Sequence, residues 1–172
     1  MRILLLMALS LGCGGREVSA LISAARAGET AQVGALLAAG ARVDEPGGVN
    51  GWTPLMHAIH KGQPEAALLL IAAGADVNAR ANNDVTPLLL AAGEGDARLV
   101  KALLARGANP RARTADGATP LANALAAGAG DVVDALLAAD PRLRLEDDFV
   151  GSASRLVARL RGKSDLIARL ER

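Results

Sequence analysis

The triplet Thr-Pro-Leu occurs three times, at Thr53-Pro54-Leu55, Thr86-Pro87-Leu88 and Thr119-Pro120-Leu121, with 33 residues between successive copies. Other landmarks keep the same phase. A glycine stands nine residues after each threonine, at Gly62, Gly95 and Gly128, and Gly74, Gly107 and Asp140 follow twelve residues later. Leu70-Ile71, Leu103-Leu104 and Leu136-Leu137 precede those last three positions. A period of this size marks a stack of supersecondary units, none of which can bury its apolar face alone. The frame reaches back, at an interval of 34, through Ser19-Ala20-Leu21, Gly28, Leu36-Leu37 and Gly40, and fades forward into residues 153–172. Five units are expected, the outer two degenerate.

Each landmark has a physical role. The threonine hydroxyl can cap a helix whose first position is the proline, where a missing N–H and a fixed φ cost nothing. Gly62, Gly95 and Gly128 come about two turns later, where a residue free to take positive φ ends the helix and turns the chain. Second helices are expected over residues 65–72, 97–105 and 131–138, from Leu and Val at helical spacing. Composition agrees with an all-α fold. The chain is 51% hydrophobic but has one Trp, one Phe and no Tyr, so its core must be built from Ala, Leu and Val.

After the second helix come Gly74-Ala75-Asp76-Val77-Asn78 and Gly107-Ala108-Asn109, turn-rich and extended. The full pattern, Gly-x-Thr-Pro-Leu, Ala, Gly, Leu-Leu, Gly-Ala-Asp-Val-Asn, resembles the ankyrin repeat over residues 18–141. The resemblance implies an ankyrin-repeat solenoid of helix-turn-helix units joined by short hairpin loops. Its expected divisions are a degenerate N-terminal repeat at 18–45, repeats at 46–80, 81–113 and 114–141, and capping helices at 150–172. Two departures stand out. The His usual after Thr-Pro-Leu is replaced by Met56, Leu89 and Ala122, so its hydrogen bonds between repeats are expected to be missing. Asp140-Pro141 takes the place of Gly-Ala, which suggests that the regular stack ends there. Arg155, Arg159, Arg161, Lys163 and Arg169 would give the last helices a soluble outer face.

The N-terminus has its own pattern. Arg2 precedes an apolar run over residues 3–11, followed by Gly12 and Cys13, the one cysteine. The run is far shorter than the roughly 20 residues of a membrane span and matches a secretory signal in length. Leu9-Ser10-Leu11-Gly12-Cys13 resembles the lipobox of bacterial lipoproteins, with Ser10 where Leu is usual. That resemblance implies a signal peptide over residues 1–12, cleavage before Cys13 and lipidation (palmitate and diacylglyceryl) of Cys13. Gly14, in place of a retention Asp, implies an outer-membrane lipoprotein facing the periplasm, or an exported one. The alternatives are a secreted chain, or a cytoplasmic protein in which residues 3–11 form an extra helix capping the fold. One cysteine excludes an intramolecular disulfide.

Ankyrin repeats bind proteins through their hairpin tips and the exposed side of each first helix. The resemblance places Val49, Asn50, Trp52, Asn82, Asn83, Val85 and Asp116 at tips, and His60, Lys61 and Glu94 on first helices. Ala118, Ala126 and Ala127 share these positions. Trp52 can act as an aromatic anchor for a partner, or lie flat on Pro46 or the neighbouring repeat. A protein partner, a monomeric chain and a membrane contact through Cys13 are the expectations for assembly.

Other function classes find little support. The 19 basic and 18 acidic residues are dispersed, without the basic patch and interleaved aromatics of a nucleic-acid interface. His57 and His60 share a helix face but lack an evident third ligand, and no metal or other cofactor is expected. Nucleophile-elbow, phosphate-loop and zinc-protease motifs are all missing from the sequence. Glu146, Asp147 and Asp148 suit a solvated loop better than a catalytic pair.

Overall fold

The computed structural model describes residues 19–144, together with Arg159, Gly162, Ile167 and Ala168. Residues 1–12, Cys13 and nearly all of the expected 150–172 cap lie outside that set, as does the acidic stretch 146–148. Between residues 19 and 144 eight α-helices run in four antiparallel pairs: α1 (Ala20–Ala27) with α2 (Thr30–Ala38), α3 (Pro54–His60) with α4 (Pro64–Ala72), α5 (Pro87–Glu94) with α6 (Ala97–Ala105), and α7 (Pro120–Ala127) with α8 (Gly130–Ala139). No strand forms among the described residues, and none of their helices is long and apolar enough to cross a membrane.

The Thr-Pro-Leu landmark acts as the sequence implies. Thr53 Oγ1 accepts from the amide of Met56 at 3.4 Å, Thr86 Oγ1 from Leu89 at 3.4 Å and Thr119 Oγ1 from Ala122 at 3.1 Å. Ser19 repeats the contact on Ile22 at 3.2 Å, so the degenerate first unit keeps its cap. Second helices begin less uniformly: Pro64 opens α4, and Asp96 caps α6 through the amide of Leu99.

First helices pack on first helices, in the order α1, α3, α5, α7, and second helices on second, in the order α2, α4, α6, α8. The landmark leucines lie at the junctions. Leu21, Leu55, Leu88 and Leu121 are buried in the first layer and Leu70, Leu103 and Leu136 in the second, all within one continuous core. A spacing of 33 thus becomes a column of leucines through the stack. The outer edge is thinner: Val33 is the one fully buried side chain of α2, while Leu36 and Leu37 are only partly covered.

Between units the loops are laced by Asp and Asn. The amide of Asp76 donates to Asp44 Oδ1 at 2.9 Å, and the amide of Asn109 to Asn78 Oδ1 at 2.8 Å. Asp44, Asn78 and Arg111 occupy equivalent places, so at the third junction a donor replaces the acceptor. Arg111 Nε then donates to Asp140 Oδ2 at 2.6 Å.

Asp140 is aligned differently by its own bonds than by counting along the chain. Asp140 Oδ1 accepts from the amide of Arg142, as Asp76 does from Asn78 and Asn109 from Arg111. Asp140 is therefore the counterpart of Asp76 and Asn109 rather than of Gly74 and Gly107. The Gly-Ala pair is deleted, α8 runs straight to Ala139, and the loop after it keeps its register as far as Leu143, which is buried in the common core.

The missing histidine also has a consequence. Met56, Leu89 and Ala122 are all buried, so apolar packing fills its place. One bond between repeats is supplied elsewhere, from Asn123 Nδ2 to the carbonyl of Leu89 at 3.1 Å.

Candidate functional site

The three hairpin tips line up along one edge. In the first, Gly47 donates to the carbonyl of Trp52 at 2.9 Å, and Gly48 and Gly51 turn the chain with φ of 74° and 66°. The second is closed by the Ala81 amide on the Val85 carbonyl at 2.9 Å. Its turn uses Asn83 and Asp84 at φ of 61° and 58°, a region that short polar side chains tolerate better than most. The third joins the Thr114 amide to the Ala118 carbonyl at 3.0 Å, and Thr114 Oγ1 accepts from the Ala118 amide at 2.8 Å.

Neighbouring tips are bonded to one another. The Asn82 amide donates to the Asn50 carbonyl at 3.0 Å, Asn82 Nδ2 to the Val49 carbonyl at 2.9 Å, and the Ala115 amide to the Asn83 carbonyl at 2.9 Å. These contacts give Asn82 and Asn83 a second identity. Both are exposed, yet their polar groups brace the row of tips before they could meet a partner.

Val49 projects from the first tip and is 79% exposed, the one large apolar side chain among the described residues left so open. Trp52 stands beside it, half-buried. Its ring meets His57 and His60 of its own unit edge to face, with centroids 5.5 Å and 4.9 Å away. The spacing of aromatic residues alone could not show this, because both partners are histidines from the helix that Trp52 precedes.

His60 continues the face onto the following unit, its Nδ1 lying 3.5 Å from Glu94 Oε1, with both side chains nearly half exposed. Lys61, Asn50 and Asp116 are exposed, whereas Val85 is half-buried at the base of its tip. The structure therefore brings Val49, Trp52, His60, Lys61 and Glu94 onto a surface shared by two units. Asp116 lies one tip further on.

His57 faces inward from this surface. Its Nε2 is buried without a hydrogen bond, and burial holds the imidazole below its ordinary pKa of 6.5 against a backbone hydrogen bond to Gly47 that pulls the other way. The nearby charges of Arg26, His60 and Lys61 lower it further. Among the described residues no group of three or more His, Cys, Asp and Glu side chains is placed to hold a metal ion.

Arg26 is the residue that sequence reasoning overlooked. It follows Ser19 by seven residues, as His60 follows Thr53, so the degenerate first unit carries the binding register as well as the cap. A cavity of about 280 Å³ lies elsewhere, near the last described loops, where Arg111, Arg113, Arg142 and Arg144 surround Leu121 and Leu143. Arg111 is engaged with Asp140, and Arg144 with the carbonyls of Pro141 and Leu143.

Two family models match the chain. One, described as ankyrin repeats in three copies, covers residues 3–81, and the other, described as ankyrin repeats in many copies, covers residues 70–122. Together they span 120 of the 172 residues. The first match opens within the apolar run that resembles a signal. No curated protein matches the sequence.

Proposed function

This chain belongs to the ankyrin-repeat family, and from that premise we propose that it holds a protein partner across the first two hairpin tips and the exposed sides of α3 and α5. The observation that carries the reading is Val49, open to solvent beside the half-buried Trp52 on a tip braced by Asn82. Tryptophan is among the residues that dominate interface energetics, and an exposed apolar neighbour widens the contact it can offer. The face offers contact chemistry and no catalytic constellation, so the activity proposed is binding, by a monomer.

The test is affinity capture with the intact protein and with a variant carrying Val49→Ser, Trp52→Ala and His60→Ala. A partner retained by the first and lost by the second, with helical circular dichroism unchanged in both, supports this face. Equal retention by both assigns binding to another surface.

The place of action is proposed from the sequence. Lipidation of Cys13 would make this an envelope scaffold or regulator at the outer membrane, facing the periplasm or exported. More than one acyl chain would be needed to hold it there, since a single chain binds only reversibly. Metabolic labelling with a palmitate analogue decides the point, because equal labelling of the wild type and Cys13→Ser ends the lipoprotein reading.

A cytosolic ankyrin regulator or inhibitor of an enzyme is the second reading. The family match that opens at residue 3 favours it, since that alignment treats the apolar run as repeat sequence. A purified chain that still begins at Met1 would select it.

A further inference from the structure

Charge on the candidate face is not evenly spread. Arg26 stands exposed in the last turn of α1, and Lys61 is exposed directly after α3. Neither has an ion pair among the described residues. Arg26 and His60 hold equivalent places on α1 and α3, which pack against each other, and Lys61 directly follows His60, whose ring stands on Trp52, so both cations flank the His57–His60 side of the face. Glu94, on the same face, has its Oε1 3.5 Å from His60 Nδ1.

The later units differ. At the places equivalent to Arg26 and Lys61, α5 carries Gly93 and Glu94 and α7 carries Ala126 and Ala127. At these two register positions positive charge thus occurs in the first two units and not in the later ones, where Glu94 takes the place of Lys61 and Asp116 lies at the third tip. Like charges gathered on a partly desolvated surface lack their counter-charge, and a partner that supplies one gains in both affinity and orientation.

We propose that the segment bound here is an acidic one: an Asp or Glu side chain seated against Arg26 and Lys61, beside an aliphatic or aromatic side chain that rests on Val49 and Trp52. This rests on the tip and first-helix face being the binding face. The Arg26 guanidinium offers paired donors in a plane suited to a carboxylate, while Lys61 adds a mobile point charge. Glu94 and Asp116 would repel an extension of the acidic segment toward the later units, which fixes the direction in which it lies. A nucleic-acid backbone, with a charge at every nucleotide, would meet those same carboxylates.

A random-peptide library displayed on phage and selected against the intact chain tests the composition directly. Recovered sequences are expected to pair Asp or Glu with a neighbouring apolar residue. A synthetic peptide of the recovered sequence should weaken about tenfold or more on Arg26→Glu with Lys61→Glu, and distinctly less on Arg26→Lys with Lys61→Arg, which keeps both charges but displaces the paired donors. Its binding should also raise the pKa of His57, followed by NMR, because a carboxylate then offsets the cations that lower it.

Peptides without acidic enrichment that still depend on Val49 and Trp52 would overturn this inference while leaving the binding face in place. Peptides insensitive to Val49, Trp52, Arg26 and Lys61 would overturn both, and so would failure to recover any peptide. A single-stranded oligonucleotide that binds more tightly than the selected peptide would overturn the assignment to an acidic protein segment.

Discussion

The indole of Trp52 stands edge to face on the imidazole of His60, with centroids 4.9 Å apart, and on His57 at 5.5 Å. The only tryptophan of the chain is therefore a reporter of two histidines on the candidate face. Its fluorescence is expected to fall as the His57 imidazole takes up a proton, since a cation at a ring's edge perturbs the excited indole. A His57→Gln, His60→Gln variant should emit at a level independent of pH between about 5 and 8, the range in which histidine alone among ordinary side chains titrates. An unchanged titration in that variant would place the quencher elsewhere.

His57 also ties stability to pH. Burial holds its folded pKa below 6.5, the value it regains in the unfolded chain. Between those two values the unfolded chain binds more protons, so this contribution is fully present above pH 6.5 and is lost as the pH falls toward the folded pKa. The melting temperature of the wild type should drop across that window more than that of His57→Gln. Parallel curves for the two proteins would show that His57 is not linked to folding.

The buried caps can be tested by two substitutions of one residue. Thr86 is 4% exposed, and its hydroxyl satisfies the Leu89 amide. Thr86→Ala should cost about 1 kcal/mol in urea denaturation, within the range known for N-caps, and Thr86→Ser should restore most of it. If serine is no better than alanine, the threonine acts through its methyl group instead.

Much of this architecture was legible because each landmark does a local job. Thr-Pro specifies a helix start without help from the rest of the chain, and Leu55, Leu88 and Leu121 sit at a period that only stacking can use. What could not be read depended on partners distant in sequence. Asp140 looks like a substituted glycine when counted along the chain. Only its bond to the Arg142 amide shows that two residues have been deleted and the loop kept. Trp52 likewise carries no sign in the sequence that its neighbours are histidines, and Arg26 is hidden because the first unit has Ser19-Ala20 in place of Thr-Pro. Asn82 and Asn83 were legible as tip residues but not as braces, since their acceptor and donor lie one repeat away on either side.

Two glycines with the same backbone demand separate conformational strain from packing. Gly74 has φ of 90° with open space where a Cβ would stand, while Gly95 has φ of 77° and its Cβ would lie 3.3 Å from that of Ala129. Gly74→Ala should lose about 1 kcal/mol from the left-handed backbone alone. Gly95→Ala should lose more, because α5 and the start of α8 must also move apart. Chemical denaturation of both variants decides it, and equal losses would mean that the junction at Ala129 yields freely.

Asn82 links the fold to the face. Its side chain holds the Val49 carbonyl at 2.9 Å and its amide holds that of Asn50 at 3.0 Å, so the apolar tip is fixed from the following unit. Asn82→Ala removes the first bond and leaves the second. Because Val49 keeps its exposure and its side chain, any effect on binding must come through mobility of the tip rather than lost contact area. A pre-ordered loop avoids part of the entropy lost when a partner docks, about 0.5–1.5 kcal/mol for each immobilised side chain. The variant should therefore show faster amide exchange at Asn82 and a weaker partner affinity with nearly unchanged global stability. Faster exchange with undiminished affinity would show that the partner does not use the first tip, and attention would move to His60, Lys61 and Glu94.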